Sequence, residues 1–370
     1  MSIRPRPSLL NPELRRPSAL QSVPRGPQQL WLDKNENLDP QLMALTHEVL
    51  SSIPREVLAT YPEAGELYRK LARWVGVSPE SLLLTPGSDG AIRLAFEAVV
   101  EQGDPVIHSL PTFAMYPVYC QMFGARVREI HYTPSAQGPM LDTARIIDAV
   151  RAIKPKLLCL PNPDSPTGTT VGPEVMREIL TACESAGTLL LVDEAYHPFH
   201  ESSVTSWTQS SPNLVVARTF AKAWGVAGLR IGYAVADPHT IALLHKLRPM
   251  YESSTLAIEF MCRMLDHIPA MMQSVARIKD GKSRFESRML SLGFGVLQTA
   301  GNFMHVAFGD RGPAVHAALA GKVLYRAVFD HPCLAGFSRF SAAPPSIMAP
   351  VADLIERAAF SGSGMSHEQH

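Results

Sequence analysis

RTFAKAWGVAGLRIGY, residues 218–233, carries one lysine, Lys222, among small and apolar side chains, with Arg230 eight residues later in a Gly-punctuated segment. An ammonium group in such a setting is costly to bury unless it is neutral or covalently engaged. The rest of the sequence has to say which applies to Lys222. The sequence around it first says what kind of sheet is present.

The runs TLLLVDEAY (188–196) and NLVVARTF (213–220) are apolar without alternation, as expected of strands buried on both faces. Before them, SLLLTPGSDGAIRLAFEAVVEQ (81–102) reads as strand, Gly-containing turn and helix. DPVIHSL (104–110) reads as a strand, FAMYPVYCQMFG (113–124) as a helix and VREIHY (127–132) as a strand. KLLCLPNPDSPTG (156–168) is a strand entering a Pro-rich loop, and PEVMREILTACESAG is a helix closed by Gly187. GELYRKLARWVGV has helical period, with Leu67, Leu71, Trp74 and Val75 on one stripe. This alternation predicts an α/β domain with a mostly parallel sheet over residues 31–250. Beyond it the pattern changes. A long helical stretch over 255–291 precedes GNFMHVAF, a helix over 313–321, the strands KVLYRAV and GFSRFSA, and a terminal helix. Residues 251–370 are thus expected to form a smaller α+β domain, and the Pro/Arg-rich residues 1–30 an extended arm.

The chain has 370 residues, long enough for two cores, with 34 basic and 34 acidic side chains and 46% apolar residues. Zero net charge gives no polybasic footprint for nucleic acid or an anionic membrane. No apolar run reaches a membrane span, and the N-terminal arginines precede no apolar signal core. Cys120, Cys159, Cys183, Cys262 and Cys333 have neither disulfide-framework nor metal-site spacing, so a reducing, cytoplasmic setting and no metal are expected.

Several motifs fall at strand ends, where open α/β sheets bind ligands. TPGSDGA (85–91) is a strand-to-helix turn whose backbone N–H groups at Ser88, Asp89 and Gly90 suit a phosphate. Asp193 and Glu194 end an apolar strand; capping the next turn is their plainer reading. An Asp193–Lys222 pair at adjacent strand ends instead suggests a perturbed lysine with a chemical role.

Together, in unbroken order over residues 31–345, these pieces resemble fold-type I pyridoxal-phosphate (PLP) enzymes of aminotransferase class I/II. The histidinol-phosphate aminotransferase branch is the most similar. DKNEN (33–37) resembles its NEN motif, TYPE (60–63) its RYP(D/E) motif, and PTFAMY (111–116) its PTYxMY helix start. PNPDSPTG (161–168) resembles NPNNPTG, VDEAY matches DEAY, and RTFAKAWGVAGLRIGY resembles RTxSKAxxLAGLRxGY.

The resemblance implies that Lys222 is the lysine that condenses with PLP, which accounts for its lone position. It makes Asp193 the partner of the pyridinium nitrogen and Tyr196 a donor to the phenolic oxygen. Arg230 would hold the phosphate with Thr219, Ser88 and Asp89, and Phe113 would stack on the ring. Tyr61 would reach the neighbouring subunit's cofactor, which implies a homodimer with shared sites. Arg339 and Arg326 would contact the substrate's anionic groups, and Asn37 of NEN would contact the substrate; a surface salt bridge is the plainer reading of Arg326. His108 and His197 lie near the motifs and are expected to line or pack the site. The departures are Ser165 where an asparagine usually binds the phenolate, with Asn162 three residues earlier available to compensate, Ala221 in place of a serine, and Gly90 in place of a Glu. Leu38-Asp39-Pro40 also replaces a Pro and a substrate-contacting Tyr. The implied activity is transfer of an amino group between an amino acid, or a phosphorylated amino alcohol, and a 2-oxo acid. Decarboxylation of an amino acid or phospho-amino acid on the same scaffold is the alternative, because fold alone does not fix reaction type.

Overall fold

The computed structural model describes residues 4–14 and 25–360, and the apolar runs quoted above become its strands. Strand β1 (Leu30–Trp31) leads to helices α1 (Pro40–Ser51) and α2 (Gly65–Val75). There follow β2 (Leu82–Thr85), α3 (Gly87–Val99), β3 (Pro105–Leu110), α4 (Met115–Phe123) and β4 (Arg126–His131). Next come α5 (Thr143–Ile153), β5 (Leu157–Pro161), α6 (Pro173–Ala186), β6 (Leu189–Asp193), β7 (Leu214–Thr219), β8 (Gly232–Ala236) and α7 (Pro238–His245). The C-terminal part comprises α8 (Thr255–Met264), α9 (Ile268–Ser291), β9 (Gly295–Leu297), β10 (Phe303–Ala307), α10 (Gly312–Leu319), β11 (Val323–Leu324), β12 (Phe337–Ser341) and α11 (Pro345–Phe360).

Seven strands form one sheet in the order β2-β8-β7-β6-β5-β3-β4. Only β8 runs against its neighbours, β2 and β7; the other pairs are parallel. The central strands bury alternate residues in two different clusters. Leu158, Leu190, Val192 and Val216 face one way, towards α5, α6 and the C-terminal part. Cys159, Leu191, Val215 and Ala217 face α3 and α4. This two-sided burial is why the runs do not alternate. Helix boundaries follow local chemistry: Asp39 caps α1 by accepting from Gln41 N–H with Pro40 at the first position, and Gly187 ends α6 at φ 68°.

Two elements differ from the sequence expectation. The helical stretch over 255–291 is interrupted at 265–267, where Pro269, which cannot donate an N–H, starts a new helix. KVLYRAV is not one strand. Val323 and Leu324 pair with β1, whereas Arg326 bridges to Arg339 on β12, and one ladder cannot serve both partners.

Strands β12-β10-β9 form a second, antiparallel sheet. Residues 30–35 are stitched into this C-terminal part: β1 pairs with β11 in parallel, Ser341 N–H donates to Leu32 O, and Asn302 Nδ2 donates to Asn35 O. Of the expected arm, 1–3 and 15–24 lie outside the described residues, as do 361–370. Ser8 Oγ donates to Met122 O at 2.8 Å, so residues around it lie on α4.

Candidate active site

The strand ends on one edge of the large sheet enclose a cavity of ≈ 620 Å³. Asp193, the last residue of β6, is 5% exposed at its floor. Its partners are neutral, Ala195 N–H at 3.0 Å and a weak contact from Tyr116 Oη at 3.4 Å. Burial lifts its carboxyl to about 7. Tyr196, three residues on, accepts from Asn35 Nδ2 at 2.8 Å.

Lys222 lies in the turn after β7 and faces the same cavity. Its Nζ donates to Lys34 O at 2.7 Å. Burial, then the positive charges of Arg339 and Arg230, lower its pKa to about 8, although Glu36 and Asp193 act in the opposite direction. The ammonium is therefore poised to lose its proton near neutral pH.

Beside it the start of a helix meets a guanidinium. Helix α3 begins at Gly87 directly after β2, with φ 74°, and Ser88 and Asp89 line the cavity. A Cβ on Gly87 would lie 2.9 Å from Arg230 Nη2, so the guanidinium fits against the helix start only because glycine is there. Gly232 fills a similar need: a Cβ would lie 2.5 Å from Arg218 O and 2.6 Å from Gly87 C, which explains the glycine of RIGY. Arg230 donates to Ala227 O at 3.3 Å and Pro86 O at 3.4 Å and has no salt bridge among the described residues. Thr219 Oγ1 accepts from Ala221 N–H at 3.1 Å.

The opposite wall is cationic too. Arg339 on β12 is 8% exposed, donates through Nη2 to Asp33 O at 2.8 Å, and leaves Nε without a partner. Burial lowers its pKa, an unusual cost for a guanidinium that an anionic ligand would offset. Arg326 also lines the cavity, its guanidinium 4.6 Å from the Phe329 ring centre, and it is not spent on a salt bridge among the described residues.

Of the residues expected from sequence, Ser88, Asp89, Phe113, Ser165, Asp193, Tyr196, Thr219, Lys222, Arg230, Arg326 and Arg339 line this one cavity. Three do not. Asn37 turns away, donating to Ala223 O at 2.9 Å and Ser274 Oγ at 3.0 Å; Asn35, two residues earlier with φ 56°, lines the cavity instead. Asn162 commits both ends of its amide to the Val171 backbone, so it does not stand in for the asparagine missing at Ser165. Tyr61 is 75% exposed and stacks on Tyr251, ring centres 4.5 Å apart, away from the chain's own cavity. His108 bonds the Ser109 carbonyl from a fully buried position, and His197 packs against Trp74.

Sequence reasoning missed Asp33, Lys34, Asn35, Phe329, Asp330 and His331 on the cavity wall. It also missed Asp164, 1% exposed, whose Oδ2 accepts from Ser109 Oγ at 3.0 Å while Oδ1 has no partner. Burial raises its carboxyl to about 7. The signal for Asn35 was present in the NEN repeat; nothing in sequence says which asparagine the chain's turn aims inward.

The residues fit PLP. Asp193 is a buried carboxylate lacking a cation, Lys222 an ammonium tuned towards neutrality, and Gly87 with Arg230 a cradle that a side chain would fill. Among the described residues no helix is long and apolar enough to cross a membrane, and no cluster of metal-ligating side chains occurs.

Comparison with known proteins gives matches along most of the chain. The family described as aminotransferase class I and II matches residues 27–349. The histidinol-phosphate aminotransferase of Roseiflexus castenholzii is 31% identical over 337 residues, 89% of each chain. A solved histidinol-phosphate aminotransferase from Sinorhizobium meliloti, in complex with pyridoxal-5'-phosphate, superposes with TM-score 0.77 at 24% identity, covering 93% of this chain and 97% of that one. L-threonine-O-3-phosphate decarboxylase from Porphyromonas gingivalis also shares the fold, with TM-score 0.73, 19% identity and coverage of 90% and 99%.

Proposed function

The chain belongs to the class I and II aminotransferases and is a PLP-dependent enzyme, and from that premise we propose which groups it acts on and which residues do the work. The amino donor carries an anionic group and is an amino acid or a phosphorylated amino alcohol like the histidinol phosphate of its named relatives; a 2-oxo acid takes the nitrogen. The observation that carries this reading is Lys222: a lowered-pKa amine that shares one cavity with the buried Asp193 carboxyl, with Arg230 at the start of α3, and with two guanidinium groups that have no salt bridge among the described residues.

Bound PLP supplies an aldehyde that condenses with amines and a ring that withdraws electrons from the substrate's Cα. Every other task falls to side chains. Asp193 keeps the ring nitrogen protonated and in place, since its carboxylate gains the cation that burial has denied it. Arg230, Thr219, Ser88 and the first N–H groups of α3 hold the phosphate. Tyr196, oriented by Asn35, donates to the phenolic oxygen, and Phe113 covers one ring face. Lys222 Nζ, which donates to Lys34 O, would hold the cofactor and, once free, would accept and return the proton at the substrate's Cα. Arg339, with Arg326 nearer the mouth, anchors the donor's anionic groups.

Tyr61, exposed beside Tyr251 and near exposed Leu58 and Met250, supports a homodimer in which Tyr61 serves the neighbouring cofactor. Free cysteines at all five positions support a reducing, cytoplasmic setting.

A panel of amino donors supplied to the purified yellow enzyme tests the reading. Bleaching of the cofactor band with release of a keto acid is expected; release of CO₂ in its place would overturn transamination. Borohydride reduction should fix the cofactor on Lys222, and a label on any other lysine removes that residue from its role.

A further inference from the structure

The wall segment 33–36 does two jobs through its backbone. Asp33 O receives Arg339 Nη2 at 2.8 Å, and Lys34 O receives Lys222 Nζ at 2.7 Å. The segment also carries two carboxylates, those of Asp33 and Glu36. Asp33 lines the cavity and belongs to the very residue whose carbonyl touches the Arg339 guanidinium. A free aspartate there would be the nearest internal anion for Arg339 and would compete with any substrate carboxylate.

Arg25 removes that competitor. Its Nη2 donates to Asp33 Oδ1 and its Nη1 to Glu36 Oε2, each at 2.7 Å. The guanidinium carbon lies 5.0 Å from the Trp31 ring centre, and the three side chains are only 18%, 26% and 25% exposed. One planar cation thus holds both carboxylates of the segment, and Trp31, on strand β1, fixes where that cation sits. Arg339 meanwhile keeps Nε unpartnered and has no carboxylate within salt-bridge distance among the described residues.

We propose that Arg25 is a positioning residue that guards the substrate-anion site: by holding the Asp33 carboxylate aside, it keeps Arg339 open for the donor's carboxylate. The inference rests on the reading of Arg339 as anion anchor. Loss of Arg25 frees Asp33 to pair with Arg339, so binding of carboxylates weakens while the proton-transfer apparatus at Lys222 stays in place. The signature is a raised KM for carboxylate donors with kcat little changed. Removing the Asp33 charge as well should restore binding.

The test is calorimetric binding of succinate to the cofactor-loaded enzyme, with steady-state kinetics alongside. Arg25→Gln should weaken succinate by about tenfold, the scale of a charge-assisted pair won or lost. The double variant Arg25→Gln/Asp33→Asn should return to within about threefold of wild type, and Asp33→Asn alone should bind no more weakly than wild type. Asp33→Asn settles the matter even if Arg25→Gln fails to fold, because a merely structural ion pair would make it weaken binding. Unchanged succinate affinity in Arg25→Gln, or no rescue in the double variant, overturns the guard while leaving Arg339 as anchor. A wild-type enzyme that ignores succinate, or an Arg339→Gln variant that binds it normally, overturns the anchor reading and the guard with it.

Discussion

Two arginines and one aspartate carry predictions at the scale of single residues. Arg339→Ala should lower kcat/KM for every amino donor by about 2–5 kcal/mol, because the anion it meets is left buried and unpaired. Arg326 is exposed at the mouth, so Arg326→Ala should cost about tenfold or less, and only for donors with a second anionic group. Donor-specific kinetics separate the two; equal effects on all donors would remove Arg326 from the site. Asp164 gives a stability signature. Its folded-state pKa, about 7, is above the ordinary 3.8 because of burial. A carboxylate raised in this way holds its proton in the fold and loses it in the unfolded chain, so the penalty grows from about pH 4 to about pH 7 and is complete above that. Asp164→Asn should therefore be more stable than wild type at pH 8 by roughly 1–3 kcal/mol, with the advantage fading as pH falls towards about 4. Thermal melts of the cofactor-free chain across that range check it. Asp164 also marks the limit of sequence reading: PNPDSPTG announces a loop at a strand end, but not that its acid is sealed beneath the cavity.

At the scale of elements, the turn from β2 into α3 is the piece that the proposed reading assigns to the cofactor's phosphate. Gly87→Ala adds a Cβ 2.9 Å from Arg230 Nη2 at a residue with φ 74°. The backbone penalty is about 1–2 kcal/mol, and the displaced guanidinium should loosen the phosphate further. Dialysis should strip the variant of its yellow colour faster than wild type; equal retention would show that the cradle lies elsewhere. Strand and helix order in the large sheet was legible because buried strands and amphipathic helices write different periods into the chain. The glycine turn before α3 and the glycine stop of α6 at Gly187 were legible; the close approaches at Gly87 and Gly232 were not. What was not legible was partnership at sheet edges. KVLYRAV has the composition of a strand, yet β11 stops after Leu324 because the chain changes partner from β1 to β12, and composition does not specify partners.

At the scale of the whole molecule, the exposed Tyr61 predicts shared sites. Mixing Tyr61→Phe chains, which should retain cofactor weakly, with inactive Lys222→Ala chains should yield hybrids with one intact site, so mixtures regain tightly loaded, active sites that neither parent has. Failure to regain them, in a mixture shown to exchange subunits, would place Tyr61 outside the partner's site. The gathering of most of the quoted motifs at one cavity was legible from their places at strand ends. The return of residues 30–35 to the C-terminal part was not, since contacts between distant segments leave no local pattern. That return has a consequence for biosynthesis. Strand β1 leaves the ribosome early, but β11, the strand it pairs with, is translated on the order of 15–60 s later at about 5–20 residues per second. Lys222 and the strand ends around Asp193 are already made by then, while the segment whose carbonyls grip Lys222 and Arg339 still lacks its anchorage. The nascent chain therefore presents an uncovered site to the vitamin-derived cofactor, and translation of the last fifth of the protein draws the cover into place.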